Sequence, residues 1–494
     1  MRRAGNRPIH VLKDLSDFYR DIGAERLVSL LDPPSGGVSV VCANEGQLRA
    51  CVSEDASGRT RPIVETLATG MTNGAISSAD SRICVINLNF QSVAPDSGRE
   101  GLVEWATRIW AVDKRSWRAC RGCDAKANCP IFSNHQELSE PEAGPRRRAA
   151  LRDIFGAAER AGAVITARQA LATIAYAITG GLKCQDVHRR HISNPTDKSW
   201  QYPFMYHQSL FGDRLLDQQR EQVASIQSLR KLDPGQVSRR EVDDYLDYES
   251  AVTRFVPPYP DGSKARTNQE ASRQAKESRR VYAFLRRLDY FNGAADTRFA
   301  RLGLSAGDAF VSVDAEKSDA EKTKIRDLLL KGLEAVQGIH RVGSNPDFLV
   351  LDPAFFAHRA KAAVIGRSVN SKNITVVDQL TYWQAKRGQA DTGLRLDQVV
   401  EWLNRAVHVE IPGPKGRGGV SVPVDLSRFE LLTRWAGGLR SGSHHEAQIR
   451  GITSVLAEVA DASDEREVIQ VLVGSSTRQL TIDVGDQIRS VRTL

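Results

Sequence analysis

The sequence predicts an α/β protein in which a parallel sheet is followed by a largely helical middle region and a mixed α+β C-terminal region. Apolar runs at 8–13, 37–43 and 82–90 have the length of buried strands, and helical patterns separate them. From about residue 100 the pattern becomes helical, and short β-like runs return after about residue 346. Strands that alternate with helices and are apolar throughout are typical of a parallel sheet covered on both faces.

The first two strands each end at a polar residue. Asp14 follows the run 8–13, and Asn44 follows the run 37–43. Open α/β sheets bind their ligands at the carboxyl ends of the strands, so both residues are candidate ligand-binding positions. Each also has a simpler interpretation, because Asp and Asn commonly cap the helix that follows. Helices are predicted from Phe18 to Leu31 and from Gln47 onward.

The middle region contains a helix with clear signals at both ends. Thr166 and Gln169 have capping-box spacing, and the helix stops at Gly180 and Gly181. This helix is apolar on most sides, so we expect it to be buried and Arg168 in its first turn to need an anionic partner. Further helices are predicted at 101–118, 147–161 and 318–336.

Three of the seven cysteines fall within ten residues, as Cys120, Cys123 and Cys129. A CxxC pair followed by a third cysteine is typical of a structural zinc site that needs one more ligand. An iron–sulfur cluster and unliganded thiols are the alternatives. Cys184 is the first choice for the fourth ligand, and the other candidates are His188 and His191.

The charge is concentrated on one predicted helix. The chain has a net charge of +8, and residues 264–288 hold eight basic residues against two Glu. Such a face suits a polyphosphate partner, so duplex DNA is the predicted ligand, although a solvated helix surface is the plainer alternative. The basic residues are Lys264, Arg266, Arg273, Lys276, Arg279, Arg280, Arg286 and Arg287.

Length and composition limit the remaining possibilities. A chain of 494 residues favours several domains, and no apolar run is long enough to span a bilayer. The N-terminus has no apolar segment of a secretory signal, which favours a cytoplasmic protein with reduced thiols. Cys42, Cys51 and Cys84 lie in apolar contexts and are predicted core residues. The predicted domains are 1–98, 99–215, 216–345 and 346–494.

The C-terminal region alternates short strands with helices. Strands are predicted at 348–351, 374–377, 407–411, 420–424, 468–473 and 479–484. A glycine-rich loop at 413–419 joins two of them, and helices are predicted at 396–406 and 443–460.

Several short motifs resemble a known family. Asn44–Arg49, the cysteine cluster, Thr166–Arg168 and residues 425–437 are similar to the DptF-type ATPases of phosphorothioation-dependent restriction systems, which defend bacteria against foreign DNA. These are P-loop, AAA+ related proteins. The resemblance implies the second half of an AAA+ core sheet followed by a lid. It also implies Walker B, sensor-1 and sensor-2 roles for Asp14, Asn44 and Arg168, with nucleotide bound between Asn44 and Arg168.

One element of that family pattern is missing. No GxxxxGK[ST] motif occurs, so the loop that holds nucleotide phosphates is absent from the sequence. We expect an N-terminally truncated or split ATPase that does not hydrolyse ATP alone, and that binds ATP and Mg²⁺ only if the N-terminal half is supplied.

Two functional hypotheses follow. The first is an ATPase-related subunit of a DNA restriction and anti-phage defence complex, with other subunits as partners. AAA+ proteins usually assemble into rings, but without the phosphate loop we do not assume a ring for this chain. The second is a non-catalytic, zinc-stabilised DNA-binding or assembly subunit. A nuclease receives little support, because the sequence shows no PD-(D/E)xK or HNH constellation.

Overall fold

The computed structural model divides the chain into two compact units, one whose described residues lie within 1–91 and one made of 92–382 and 403–494. Residues described are 2–4, 7–33, 37–70, 75–77, 82–86, 88, 91–95, 100–193, 195–196, 199–221, 223–238, 243, 268–311, 319–339, 348–351, 362–378, 382, 406–414, 416, 418–438, 446–460, 468–473, 476–484 and 489–493. The finer division into four domains stays a prediction, and the predicted helix 396–406 falls largely outside these residues.

The first unit has strands β1 (Arg2–Ala4), β2 (Arg7–Leu12), β3 (Val38–Val41), β4 (Ala75–Ser77) and β5 (Cys84–Ile86), with helices α1 (Arg20–Leu31), α2 (Glu45–Ser53) and α3 (Arg61–Gly70). β2 and β3 are parallel, and β1 pairs antiparallel with β2. The first two predicted strands and both predicted helices are therefore confirmed, and the parallel pair is compatible with an α/β class.

The third predicted strand does not extend this sheet. β5 pairs antiparallel with β4, and among the described residues these two strands form a separate two-stranded sheet. The expectation of a third parallel strand was wrong, because a local hairpin partner takes its hydrogen bonds.

The small core of the first unit lies on one face of the parallel pair. Leu15, Leu27 and Cys51 are buried there, which confirms the prediction for Cys51. Gly23 allows α1 to approach α2 closely, since a Cβ at this position would lie 2.6 Å from the Cys51 Sγ. Cys42 and Cys84 are exposed, so their prediction as core residues was wrong.

The second unit is mainly helical. Its first eight helices are α4 (Leu102–Thr107), α5 (Pro130–Ser139), α6 (Gly144–Arg160), α7 (Ala167–Thr179), α8 (Cys184–Ser193), α9 (Tyr206–Ser209), α10 (Asp217–Glu221) and α11 (Ala224–Lys231). The later helices are α12 (Asn268–Asn292), α13 (Arg298–Arg301), α14 (Gly307–Val311), α15 (Asp319–Val336), α16 (Leu426–Ala436) and α17 (Glu446–Ala460). A π-helical turn, Arg108–Val112, continues α4.

Helices such as α6 and α7 pack through buried apolar residues, and local signals define their ends. The Thr166 side chain and Gln169 form the predicted capping box at the start of α7. Gly180 ends the same helix with a left-handed φ of 63°, a conformation that suits glycine. Leu151, Ile154 and Phe155 of α6 are buried in the large core that joins α6 and α7 to α15, α16 and α17.

The strands of the second unit are β6 (Phe348–Leu351), β7 (Ala362–Ile365), β8 (Arg367–Asn370), β9 (Thr375–Asp378), β10 (Val407–Ile411), β11 (Val420–Val424), β12 (Val468–Val473), β13 (Ser476–Val484) and β14 (Arg489–Thr493). They form antiparallel sheets in the orders β11-β10-β9, β14-β13-β12-β7 and β6-β8. The predicted C-terminal strands are confirmed. None of the described helices combines the length and hydropathy that a bilayer span needs.

Candidate functional site

The cysteine cluster lies on two short turns that precede α5. Residues Arg118–Gly122 and Asp124–Asn128 form two 3₁₀ turns. Cys120 lies within the first turn, and Cys123 lies between the two turns. Cys129 caps α5, and its Sγ accepts a hydrogen bond from the Phe132 N–H at 3.4 Å. Tight turns place the thiols on a short stretch of chain, as a CxxC pattern requires.

The start of α8 meets these turns. Cys184 opens this helix, and the His188 Nε2 lies 3.5 Å from the Cys123 Sγ. Burial raises the pKa of the Cys120 thiol, and the nearby Cys184 and Cys123 raise it further. Burial is also the main cause of the raised pKa of Cys129, to which Cys120 and Cys184 add. The four thiols are thus near enough to affect one another's pKa, and one imidazole contacts one of them.

Buried amides hold the two segments in this arrangement. Asn134 of α5 donates to the Ile178 and Phe204 carbonyl oxygens at 2.9 and 3.1 Å, and accepts from the Tyr206 N–H at 2.8 Å. These bonds join α5 to the end of α7 just before α8 begins. The Asn128 side chain donates to the Pro195 carbonyl beyond the end of α8. The cysteine turns and α8 are thus positioned by satisfied polar contacts, which are costly to break when buried.

The thiols suit zinc by their chemistry, but the described side chains do not form a coordination site. Among the residues that the structure describes, no group of three or more His, Cys, Asp or Glu side chains is placed to hold a metal ion. Tetrahedral zinc needs its sulfur ligands at about 2.3 Å, so the thiols would have to move closer together. The chemistry of the donors suits the predicted metal, whereas the positions of the described side chains do not form its site.

Comparison of this chain with protein-family models, curated proteins and solved structures finds no match. The resemblance to the DptF-type ATPases stays a prediction from short motifs.

Asp14 and Asn44 lie at the same edge of the parallel pair. Asp14 accepts from the Ser16 N–H at 2.9 Å, and Asn44 accepts from the Gly46 N–H at 2.9 Å. Both side chains are exposed at the carboxyl ends of β2 and β3, and the Leu15 N–H donates to the Cys42 carbonyl between them. The simpler interpretation is confirmed for Asn44, which caps α2. Asp14 caps the 3₁₀ turn Leu15–Asp17 instead of the predicted helix, since α1 begins after Tyr19 without a side-chain cap. The catalytic roles of both residues stay predictions.

Arg168 lies in the first turn of α7, as predicted, but its side chain is exposed. Water can solvate an exposed guanidinium, so the argument that Arg168 needs a buried anionic partner was wrong. Arg168 belongs to the second unit, whereas Asn44 belongs to the first. A nucleotide site between them stays a prediction.

The predicted basic surface divides into two parts along α12. Arg279 and Arg280 are exposed, whereas Arg286 is half-buried and Arg287 is buried. Lys264 and Arg266 lie outside the described residues, as do the side chains of Arg273 and Lys276.

Arg287 is enclosed by acidic and aromatic groups. Its Nε and Nη2 donate to the Asp233 carboxylate at 2.8 and 2.5 Å, and its Nη1 donates to the Gln208 Oε1 at 2.9 Å. The guanidinium also lies 4.7 Å from the centre of the Phe211 ring. Arg286 makes a bidentate pair with Asp243 at 2.7 and 2.8 Å. We therefore remove Arg286 and Arg287 from the predicted DNA-contacting set, because internal carboxylates occupy both guanidinium groups.

A cleft of about 630 Å³ lies elsewhere in the second unit, between α6, α11 and α16. Its wall includes Glu430, whose carboxylate accepts from the Ser305 hydroxyl at 2.7 Å and the Ala306 N–H at 2.8 Å. Arg434 neutralises the same carboxylate at 2.8 Å. Glu430 is therefore a satisfied structural acid and offers no free group for chemistry in this cleft.

Proposed function

We propose that this chain is a zinc-stabilised DNA-binding subunit of a bacterial restriction and anti-phage defence complex. The observation that carries the proposal is the contact between the Cys123 Sγ and the His188 Nε2 at 3.5 Å, which accompanies the packing of α8, opened by Cys184, on the turn between Cys123 and Cys129. A metal at this point would join the turns before α5 to the start of α8. Closed thiolate sites of this kind are structural and leave no open position for substrate.

DNA is the proposed ligand because the chain is basic and its exposed cations are not all neutralised. The net charge is +8, and Arg279 and Arg280 are exposed on α12. Each phosphate that a cation neutralises releases counterions, so binding should weaken as salt increases. The association with a defence complex comes from the DptF-like motifs.

Metal content tests the first half of this proposal. We expect about one zinc per chain by elemental analysis of the purified protein, and a loss of zinc in Cys184→Ser. Cys42→Ser is the matched control, since Cys42 is an exposed thiol of the first unit and should not affect metal content. Less than half an equivalent of zinc, with no iron, would contradict the metal site.

Duplex binding tests the second half. We expect log K for a duplex oligonucleotide to fall linearly with log salt. A flat plot, or no binding at low salt, would contradict DNA binding by the chain.

An ATPase-related role is the second candidate. The observation in its favour is that Asp14 and Asn44 share the carboxyl edge of adjacent parallel strands, which is where α/β sheets bind nucleotides. Titration with a fluorescent ATP analogue and Mg²⁺ tests it. Saturable binding that Asn44→Ala weakens, while Asn370→Ala leaves it unchanged, would support this candidate; Asn370 is a matched asparagine cap in the second unit.

A further inference from the structure

A group of basic residues surrounds the cysteine cluster and was not singled out by the sequence. The turns 118–129 and the segment 183–191 together carry six Lys or Arg and only two Asp. We call this group the cysteine-proximal basic surface; it consists of Arg118, Arg121, Lys126, Lys183, Arg189 and Arg190.

The two segments form one surface because they pack against each other. Val187 of α8 is buried, α8 packs on the turn Asp124–Asn128, and His188 contacts Cys123. Arg121 directly follows Cys120, and Lys183 directly precedes Cys184. The cations of both segments therefore lie around one cluster of thiols.

The charges of this surface are poorly neutralised from within the protein. Arg118, Arg121 and Lys183 are exposed, and among the described residues none of their side chains has an ion-pair partner. Arg189 has only a loose contact with Asp186 at 4.0 Å. Even a divalent ion held by four thiolates would leave the surface with a positive balance.

Other arginines of the same unit are engaged by acids. Arg152 pairs with Glu104 at 3.0 Å, Arg301 with Asp289 at 2.7 Å, and Arg434 with Glu430 at 2.8 Å. Cations that crowd together without acids repel one another, and an external anion relieves that repulsion.

Two further contacts shape the surface. The Arg190 guanidinium lies 5.0 Å from the centre of the Trp200 ring, and Lys126 lies 4.9 Å from the centre of the Phe132 ring. Stacking on an aromatic ring restrains a long cationic side chain, so less conformational entropy is lost when it meets a ligand. Four of the six cations are Arg, whose planar fork matches a phosphodiester better than a Lys ammonium does.

We propose that the cysteine-proximal basic surface is the main phosphate-contacting surface of this chain for duplex DNA. The inference rests on the proposed DNA-binding function and moves the contact from α12 to the cysteine turns and α8. A structural metal beneath the surface would then fix the spacing of the cations.

Binding of full-length protein to a fluorescein-labelled duplex across a salt series tests the inference. The test variant is Arg118→Gln/Arg121→Gln/Lys183→Gln. Each lost phosphate contact removes about 0.9 from the slope of log K against log salt, so we expect the slope to fall by about 2.7.

Two controls separate this surface from total charge and from α12. Arg146→Gln/Lys324→Gln/Lys372→Gln removes the same charge from exposed positions elsewhere, and we expect a slope change of less than about 1. Arg279→Gln/Arg280→Gln removes the exposed pair of α12. Circular dichroism and zinc content of each variant show whether it is folded.

The outcomes distinguish the two proposals. If wild-type protein does not bind duplex DNA, both the proposed function and this inference fail. If it binds, and the charge control reduces the slope as much as the test variant does, the proposed function stands and this inference is overturned. The same holds if the α12 pair reduces the slope as much per charge removed as the test variant does. A test variant that no longer binds phosphatidylserine vesicles but binds DNA like wild type would also overturn the inference. The cysteine-proximal basic surface would then be a lipid-binding surface.

Discussion

Replacement of Arg287 tests whether its side chain forms a buried ion pair with Asp233. Its side chain is 3% exposed and that of its partner Asp233 is 1% exposed. Arg287→Leu would leave the Asp233 carboxylate buried with two remaining described donors, the Gly235 N–H at 2.8 Å and the Gln236 side-chain amide at 3.5 Å. Removal of one partner from a buried ion pair costs about 3–5 kcal/mol of unfolding free energy.

The other partners of Arg287 change this magnitude little. Asp213 pairs with Arg287 at 2.7 Å, but its side chain is 45% exposed, so water can replace the guanidinium there. Gln208 loses one hydrogen bond, which contributes about 1 kcal/mol. We therefore expect the variant to be destabilised by about 4 kcal/mol, mainly through Asp233.

Urea-induced unfolding followed by tryptophan fluorescence measures this change. Arg279→Leu is the matched control on the same helix, and we expect its unfolding free energy to stay within about 0.5 kcal/mol of wild type. The double variant Arg287→Leu/Asp233→Leu should recover part of the loss, since no unpaired carboxylate remains. A single variant within about 1 kcal/mol of wild type, combined with weakened DNA binding, would refute the buried pair and restore Arg287 as a phosphate contact.

Two further predictions concern a buried imidazole and a helix end. Burial lowers the pKa of His207 to about 3, with help from the Arg287 and Arg147 charges, so its contribution to stability is complete above the unfolded-state pKa of about 6.5 and is lost as pH falls towards 3. Below pH 6.5, the unfolding free energy of wild type should fall relative to that of His207→Phe by up to about 1.4 kcal/mol per pH unit, as measured by urea unfolding. If the unfolding free energies of the two proteins changed with pH in parallel, the prediction would be contradicted. Gly180→Ala should cost about 3 kcal/mol, because the added Cβ would lie 2.8 Å from Phe204 in a left-handed conformation. Gly58 has a similar φ of 68° but open space around its added Cβ, so we expect Gly58→Ala to lower the stability by only about 1 kcal/mol. Equal stability losses for the two variants in thermal unfolding would contradict the steric contact at Gly180.

Local sequence signals predicted the longest helices and many of the strands of the described chain. The capping box at Thr166, the glycine stop at Gly180 and the strands 348–351 and 420–424 occur as expected. These features depend on hydrogen bonds and side-chain contacts within a few residues, so they can be recognised from the sequence.

Contacts distant in sequence were harder to predict. β5 pairs with β4 in a hairpin, although its apolar run suited a parallel sheet equally well. A short apolar run shows that a strand is buried or paired but does not identify its partner. The contact between His188 and Cys123 joins residues 65 positions apart, and only the packing of α8 against the cysteine turns brings them together.

The sequence by itself determined that α12 is a basic amphipathic helix and that three cysteines lie close together. Arg280 and Arg287 are seven residues apart, so two helical turns place them on the same face, and periodicity cannot distinguish them. The tertiary structure decided that Arg280 is exposed and that Arg287 is buried against Asp233. The physical reason is that buried Leu285, Tyr290 and Phe291 fix the part of α12 that carries Arg287 in the core, next to Asp233. The charge available to a ligand therefore depends on which cations the fold has already neutralised.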